Sequence, residues 1–399
     1  MKTPTVHVGE LALNDSGAFK IGPFGSSLKK TELVESGIPV AGIENVLPNN
    51  FVKGFRRFIT ARKFEELSDY EILPDDVLVT TMGTIGRAAS APPDVGRAIF
   101  DSHLFRMRVD TRRVFPPYLC YALNSDLVAS QLARMARGAI MEGLNTTILR
   151  ECSIPLPEMP EQRRIAERLE QADRLRRTRR YALELTDTFL PAAFLELFGD
   201  PVTNQMGWKI SPFEEVAPSR LGKMLDANQQ TGMHGRPYLR NENVQWERFD
   251  LTEVSVMDFD ADDREEFLLS PGDLLICEGG EPGRCAIWRG QLPECYFQKA
   301  LHRARPVLSK AIPEYLVHLL WSLARRGGLA DYVTSATIAH LTGEKLKLMP
   351  IPVPPLPLQQ KFAALVERVE RLRAVQREAL RQAEHLFASL LHRAFSGEL

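Results

Sequence analysis

Apolar residues recur every three or four positions along the stretch from Pro155 to Gly199. The segment from Gln162 to Leu190 contains no Gly or Pro, and this spacing predicts a long amphipathic helix. The prolines before it favour an extended approach, because Pro fixes φ and lacks an N–H, while Gly199 and Pro201 are typical stop signals. The apolar positions of this predicted helix are Ile165, Leu169, Ala172, Leu175, Ala182, Leu185 and Phe189.

A second stretch with the same pattern runs from Pro352 to Gly397, and its Gln359 lies 197 positions after Gln162. Each predicted helix is too apolar on one face to stand alone. Two such helices can bury these faces against each other, so we predict that they pack as an antiparallel coiled coil. The apolar positions of the second helix are Phe362, Val366, Val369, Leu372, Ala379, Ala383, Leu386 and Leu390.

The repeat continues into the sequence that precedes each helix. Residues 74–79 (PDDVLV) match residues 271–276 (PGDLLI) at the same offset of 197. Strand-like and helix-like patterns are interspersed in each half, and each half is long enough to bury a core. We therefore predict a mixed α/β (α+β) fold in which two tandem-duplicated globular domains are related by a pseudo-two-fold axis. The predicted borders are 1–157 and 200–355 for the globular domains, and 158–199 and 356–399 for the two spacer helices.

The composition is that of an ordinary globular protein. No apolar run approaches the roughly 20 residues that cross a bilayer, and residues 1–4 (MKTP) do not begin a secretory signal, so we predict a cytoplasmic location. The net charge of −1 neither favours nor excludes a nucleic-acid partner, because only the local potential acts on phosphates. Scattered cysteines without CxxC spacing predict free thiols: Cys120, Cys152, Cys277, Cys285 and Cys295.

Motifs for catalysis are missing from the sequence. It contains no GxSxG, no HExxH and no phosphate-binding P-loop, and its eight histidines do not cluster at metal-ligand spacing. Asp76 and Asp273 begin two predicted strands, but the Lys that a nuclease would place on the next strand position is absent. We expect these two acids to cap turns or to pair with Arg. The sequence thus predicts no catalytic, cofactor-binding or metal-binding residue.

Basic, amide and aromatic residues interleave in both halves, as in residues 53–58 (KGFRRF) and 238–246 (YLRNENVQW). Arg or Lys pairs with guanine in the major groove and Asn or Gln with adenine, while Lys and Arg also neutralise phosphates. Candidate DNA contacts in the first half are Lys29, Lys53, Arg56, Arg57, Thr84, Arg87, Asn145 and Thr146. Candidates in the second half are Lys223, Arg236, Arg240, Asn243, Arg284, Lys299, Thr337 and His340.

The paired Pro-x-Pro-x-x-x-x-Gln helix openings, the endings at Phe198-Gly199 and Phe395-Ser396-Gly397, and the twice-used Gly-Asp-Leu-Leu-type strand form an ordered set. In this set the chain resembles the specificity subunit of type I restriction–modification systems. The resemblance implies two target recognition domains that each read one half of a bipartite, asymmetric DNA site. The helices would set the unread gap and dock the modification subunits.

The same resemblance implies the partners and the cofactors. The partners would be double-stranded DNA, two modification (methyltransferase) subunits and, in the full complex, restriction subunits. S-adenosylmethionine, ATP and Mg would be bound by those subunits and not by this chain. No base-contacting residue is carried over from the family, because recognition residues vary widely within it.

Two other interpretations remain open at this stage. One is an enzyme in its own right, a site-specific nuclease or a methyltransferase, although the Asn/Asp-Pro-Pro-aromatic motif of a methyltransferase is absent. The other is a coiled-coil scaffold that does not read DNA. The Arg-rich face of the first helix fits a DNA backbone and an acidic partner equally well. Salt separates the scaffold from the favoured interpretation, because DNA affinity falls steeply as salt rises.

Overall fold

The computed structural model describes residues 3–15, 17–135, 146–225, 232–333 and 339–396. The chain divides into two compact units. Unit 1 comprises residues 1–180 and 378–399, and unit 2 comprises residues 181–377.

Unit 1 is built on a four-stranded antiparallel sheet, in the order Phe19–Ile21, Leu104–Met107, Val77–Thr80, Ala88–Ser90. A mixed sheet of Phe58–Ile59, Ile38–Ala41 and Ile99–Phe100, the hairpin Val46–Leu47 with Asn50–Phe51, and the pair Thr5–His7 with Ser153–Pro155 complete its strands. Its short α-helices are Ala61–Glu66, Pro116–Leu123, Asp126–Met135 and Thr146–Glu151.

Unit 2 repeats this arrangement. Its four-stranded antiparallel sheet has the order Ser219–Leu221, Leu301–Ala304, Leu274–Cys277, Cys285–Ile287. The mixed sheet contains Ser255–Asp258, Gly235–Leu239 and Tyr296–Phe297, the hairpin joins Val244–Gln245 to Arg248–Phe249, and Lys209–Pro212 pairs with Pro350–Val353. Its short α-helices are Phe213–Val216, Ala261–Phe267, Pro313–Arg325 and Gly343–Leu348.

Each unit therefore contains a four-stranded sheet, a mixed three-stranded sheet, a hairpin and a two-stranded pair. Their strands follow in the same chain order in both units. This confirms the predicted duplication and the α+β class. In both units the middle strand of the mixed sheet has one antiparallel and one parallel neighbour, which explains why strict βαβ alternation is absent from the sequence.

Two long helices follow the globular parts, at Met159–Phe198 and Leu356–Ser396. In unit 1 the Arg176 guanidinium lies 3.8 Å from the centre of the Phe387 ring, and Arg180 donates a hydrogen bond to Glu384 at 2.8 Å. As the number rises on the first helix it falls on the second, so the two helix segments of unit 1 run antiparallel.

The helix segments of unit 2 follow the same rule. Phe194 contacts Phe362 with ring centres 5.6 Å apart, and Arg373 donates to the carbonyl of Thr186 at 2.9 Å. The segments are therefore antiparallel within this unit as well. A coiled coil along the full length of the helices stays a prediction.

A buried glutamine fastens the start of each long helix to the globular part before it. The Gln162 amide oxygen accepts from the backbone N–H of Phe115 at 2.8 Å, and its nitrogen donates to the carbonyls of Arg113 and Pro157. In unit 2 Gln359 makes the same three bonds, accepting from Ile312 at 3.0 Å and donating to the carbonyls of two other residues, Lys310 and Pro354. The repeated Gln of the sequence motif thus holds the start of the long helix on the globular part that precedes it.

The helix residues predicted to pack are divided between buried and exposed positions. Buried positions are Ile165, Leu169, Ala172, Phe362, Val366, Val369 and Ala383, and Leu390 is partly buried. Five others are 41–51% exposed, against the prediction: Leu175, Leu185, Phe189, Leu372 and Leu386. Ile165, Leu169 and Ala172 join the core of the globular part of unit 1. Phe362, Val366 and Val369 join that of unit 2, so the helices do not pack on each other alone.

The physical reason for the difference is the rotation of an α-helix by about 100° per residue. Counted from Ile165, Leu190 and Phe194 return to within about 20° of the same face, whereas Leu185 and Phe189 point more than 90° away. Leu190 and Phe194 are accordingly buried.

Candidate nucleic-acid interface

The loops of unit 2 converge at one end of its four-stranded sheet. Strand Leu274–Cys277 leads into a Gly-rich turn in which Gly280 and Gly283 have φ of 74° and 86°, a region that strongly favours Gly. Two backbone hydrogen bonds of Glu278 connect this turn to other loops. Its N–H donates to the Ala300 carbonyl at 2.9 Å, and its carbonyl accepts from the Leu341 N–H at 2.7 Å. We call the loops around residues 222–223, 240–243, 278–284, 298–300 and 339–342 the loop cluster of unit 2.

The arginines of this cluster contact backbone carbonyls and carboxylates of neighbouring residues. Arg284 donates to the Asn241 carbonyl at 3.0 Å, and its guanidinium lies 3.6 Å from the Glu281 carboxylate. Arg240 forms an ion pair with Glu242. The Nε atoms of both arginines are buried and have no hydrogen-bond partner within the described part of the chain. Both guanidinium groups are thus oriented but incompletely satisfied.

The lysines of the cluster have different environments. Lys223 is engaged, because its Nζ donates to the Asp258 carbonyl at 2.9 Å and pairs with Asp263. The side chain of Lys299 is exposed, although its backbone N–H is fixed on the Lys223 carbonyl at 2.8 Å. His340 is half-buried and bridges Gly279 through its backbone. Lys223, Arg240, Arg284, Lys299 and His340 are therefore brought together.

Two second-half candidates have other surroundings. Arg236 lies on the strand Gly235–Leu239 and donates to Glu294 at 3.2 Å. Asn243 is buried, and its side chain accepts from the Arg240 N–H at 2.8 Å and donates to the carbonyls of Asp250 and Glu253. All of these bonds shape the hairpin, so Asn243 has a structural role here, and its contact with DNA stays a prediction.

Unit 1 places a charged group at the equivalent end of its sheet. The Arg57 guanidinium contacts the carboxylate of Asp101 at 2.6 Å and that of Glu44 at 3.2 Å. Burial lowers the pKa of Arg57, but these two acids outweigh it and raise the pKa overall. Asp101 also lies 3.3 Å from Nδ1 of His103. Gly42 leaves room for this guanidinium, because a Cβ at that position would overlap the present position of the Arg57 side chain.

The remaining first-half candidates are spread over several loops. Lys29 and Arg56 are exposed, and Lys53 pairs with Asp94 at 2.6 Å. Thr84 and Arg87 belong to one turn, closed by the Thr80 hydroxyl, which donates to the Thr84 carbonyl and accepts from the Arg87 N–H at 3.0 Å. A further candidate, Thr146, begins the helix Thr146–Glu151. The two candidates Asn145 and Thr337 lie outside the described residues.

Sequence reasoning missed Asn241, Glu44, Asp101 and His103, which stand beside the predicted residues. Asn241 donates its amide to the Gly279 carbonyl at 3.0 Å and leaves its buried Oδ1 without a partner among the described residues. It belonged to the interleaved stretch 238–246, so that signal was present. The acids that hold Arg57 had no local signal, because Asp101 is 44 positions away in the chain.

The acids considered for a nuclease are structural. Asp76 lies 3.2 Å from the Arg108 guanidinium and accepts from the Leu73 N–H. Asp273 likewise pairs with Arg305 at 2.8 Å and caps the turn at Ser270. Both acids thus pair with Arg and cap a turn, as predicted. No group of three or more His, Cys, Asp or Glu side chains within the described ranges is placed to hold a metal ion.

The cysteine thiols are free and buried. Burial raises the pKa of Cys120 and Cys295 to about 12 and that of Cys152 and Cys277 to about 11. Because the thiolate is the reactive form, such thiols are inert as nucleophiles. In the part of the chain that the structure describes, no helix combines the length and apolar character needed to cross a membrane.

Comparison with known proteins places this architecture in a family. The family model for the type I restriction modification DNA specificity domain matches twice, at residues 19–185 and 205–385. The two matches cover most of the chain. The chain therefore belongs to this family, as the sequence motifs predicted, and specificity subunits of type I restriction systems are not themselves catalytic.

Individual relatives are distant. The chain is 24% identical over 314 residues to the type I restriction enzyme EcoKI specificity subunit of Escherichia coli K12, over 72% of this chain and 66% of that subunit. It is 21% identical over 387 residues to the putative MjaX specificity subunit of Methanocaldococcus jannaschii, over 91% of this chain and 87% of the relative. The crystal structure of the type I S subunit from M. genitalium has the same fold, with a TM-score of 0.59 at 14% identity over 99% of this chain and 96% of that one.

Proposed function

We propose that the chain is the DNA sequence-specificity subunit of a type I restriction–modification complex, and that each unit reads one half of a bipartite, asymmetric site. The observation that carries this proposal is one fold used twice with chemically different loops. At the equivalent end of its sheet, unit 1 holds Arg57 between two acids, whereas unit 2 holds Arg240 against Glu242 and presents an exposed Lys299. Different side chains on equivalent scaffolds favour two different half-sites.

The proposal includes protein partners that carry the chemistry. Two modification subunits, and restriction subunits in the full complex, would bind S-adenosylmethionine, ATP and Mg, while this chain binds none of them. Support for docking comes from the long helices, where large apolar side chains are exposed: Leu175, Tyr181, Leu185, Phe189, Leu372, Val375 and Leu386. Exposed apolar side chains concentrated on two elements are typical of a surface that a partner covers.

The test is a map of methylated adenines in genomic DNA. Cells that carry this chain with its neighbouring methyltransferase are compared with cells that lack only this chain. We expect a split, asymmetric motif that loses its methylation when the chain is absent. Identical maps from cells in which the methyltransferase is present and active would contradict the proposal and favour the scaffold.

A domain exchange tests the division of labour. Replacing residues 1–157 by the corresponding domain of another family member should change one half-site and leave the other half-site and the gap unchanged. The reciprocal exchange of residues 200–355 is the matched control, and it should change only the other half-site. A change in both half-sites after either exchange would show that the two units do not read independently.

A further inference from the structure

A cavity of about 750 Å³ opens beside the loop cluster of unit 2. Glu278 and Lys299 of the loop cluster line it, together with Ser219 and His302 on two paired strands and Lys347 on the helix Gly343–Leu348. None of the DNA candidates except Lys299 belongs to it. The candidate DNA contacts therefore do not account for this cavity.

The innermost polar group of the cavity is an unused hydrogen-bond acceptor. His302 is only 1% exposed, and its Nε2 lies 3.0 Å from the Leu341 carbonyl. A carbonyl only accepts, so Nε2 carries the proton and Nδ1 presents a lone pair. Burial also lowers the pKa of His302, which keeps the ring neutral. Nδ1 is buried and has no partner in the described part of the chain, an arrangement that is costly unless a ligand donates to it.

The residue that faces this edge of the imidazole is a glycine. A Cβ at Gly343 would lie 3.5 Å from Cε1 and 3.8 Å from Nδ1 of His302. Of the charged groups that line the cavity, Glu278 is half-buried, while Lys299, Lys347 and Glu344 are exposed. Glu278 is therefore the deeper carboxylate, and Lys347 is only loosely paired, with Glu214 at 3.7 Å.

In unit 1 the equivalent place is occupied by aromatic side chains. Strand register equates His302, opposite Leu221, with Phe105, opposite Ile21, and it equates Ser219 with Phe19. In unit 1 the Phe19 and Phe105 rings stack with centres 5.6 Å apart. Arg150, 197 positions before Lys347, covers Phe19 at 4.2 Å. At this place unit 2 therefore has Ser219 and His302 where unit 1 has two stacked aromatic rings.

We propose that this cavity binds an amino-bearing nucleobase, adenine or cytosine, whose free amino N–H is shared between His302 Nδ1 and the Glu278 carboxylate, with its phosphate near Lys299 and Lys347. Adenine and cytosine are the bases that present an amino donor in the major groove, and carboxylates accept from cytosine N4. The inference rests on the proposed function and names a base-reading site within unit 2. The nucleobase belongs to the DNA half-site or to a free nucleotide, and the experiment distinguishes these sources.

The test uses the full chain with its modification subunits and three variants. Glu278→Ala removes the acceptor to which the base would donate, and Lys299→Gln removes a rim charge. His302→Phe installs the residue found at the equivalent place in unit 1. The matched control is Glu265→Ala, at an exposed acid of the same unit outside the cavity. Each complex is assayed for its methylation motif and for AMP, CMP and UMP binding by titration calorimetry.

If the base belongs to DNA, Glu278→Ala should lower the preference for A or C at one position of one half-site by roughly tenfold. The other half-site should stay unchanged and serves as the control for folding. Lys299→Gln should lower methylation without changing base preference, because phosphate contacts carry no sequence information. Glu265→Ala should match the unmodified complex. An unchanged motif combined with roughly tenfold weaker AMP or CMP binding, but not UMP binding, would assign the cavity to a free nucleotide.

Unaltered base preference together with unaltered AMP and CMP binding in Glu278→Ala would overturn the inference. If the His302→Phe complex fails to assemble, the variants at Glu278 and Lys299 still test the inference, because these two residues are less buried. A chain that directs no methylation motif at all contradicts the proposed function instead, and the nucleotide titrations then judge the cavity separately. The two failures are therefore distinguishable.

Discussion

At the scale of single residues, the side chains that made the repeat recognisable hold the scaffold together. Gln162 and Gln359 bond backbone groups on both sides of the helix start, and Tyr118 and Tyr315 donate to the carbonyls of Pro155 and Pro352 at 2.8 and 2.7 Å. The sequence revealed that these positions recur but not their role, because their partners lie up to 49 positions away.

Gln359→Ala should lower the free energy of unfolding by about 3 kcal/mol, because one N–H and two carbonyls lose their partner in a buried place. Gln162→Ala should have a similar effect in unit 1. Chemical denaturation of the purified complex measures both. Gln360→Ala is the control, since Gln360 is the exposed neighbour on the same helix and its loss should change stability by less than about 0.5 kcal/mol. Equal denaturation midpoints for Gln359→Ala and Gln360→Ala would show that the hydrogen bonds of Gln359 contribute no net stability.

At the scale of elements, unit 2 joins both helix segments to its hairpin through one buried network. Arg373 donates to Thr186 on the first helix and lies 3.1 Å from Glu247 in the hairpin turn. His318 contributes from the helix Pro313–Arg325, with Nδ1 3.4 Å from Glu247. Because Arg373 already engages this carboxylate, Glu247 does not compensate for the burial of the imidazole.

Burial, with a further contribution from the Arg373 charge, lowers the pKa of His318 to about 4. The unfolded chain, with an ordinary His pKa near 6.5, then binds the proton more readily than the folded chain. Stability from neutral His318 is therefore complete above about pH 6.5 and is lost as the pH falls towards 4. The loss should reach roughly 3 kcal/mol at most. We expect the unmodified chain to lose more stability between pH 7 and 4 than His318→Phe, which keeps the ring packed on Phe362.

Denaturation midpoints at several pH values measure this difference, and acids common to both proteins cancel in it. Parallel pH profiles of the two proteins would contradict the prediction. His385→Phe is a suitable control, because His385 is exposed on the second long helix and its substitution should leave the profile unchanged.

The network also marks the limit of helix prediction from apolar spacing. Arg373 lies on the buried face about 20° from Phe362 by helical rotation, yet a charged residue was not sought there. Leu372, one position earlier, was chosen for being apolar and is exposed. Existence, length and caps of both helices were predictable from the sequence. The buried face was not, because it depends on the globular parts against which the helices pack.

At the scale of the whole molecule, the duplication and the α+β class followed from the offset of 197, since a repeat constrains both copies at once. The candidate interface was predictable only in part. Residue types indicated Arg240, Arg284 and Lys299, but Asn243 serves its own hairpin. The cavity at His302 could not be predicted from the sequence, because its lining comes from strands, loops and a helix that lie far apart in the chain.

The helix pair gives the last prediction. If the long helices set the unread gap of the DNA site, inserting matched helical turns after Arg180 and after Arg377 should lengthen that gap and leave both half-sites unchanged. These two positions are also where the compact units meet along the chain, so insertions there leave both cores intact. Two helical turns add about 11 Å at 1.5 Å per residue, which corresponds to roughly three base pairs of B-DNA at about 3.4 Å each.

Methylation maps of the paired-insertion chain measure the gap and both half-sites in one experiment. An insertion in only one helix is the matched control, because it adds the same residues without lengthening both helices together, and it should reduce methylation without defining a new gap. A paired insertion that alters a half-site while the gap stays constant would contradict the role of the helices as a ruler. Reading would then depend on the helices themselves and not on the loop clusters.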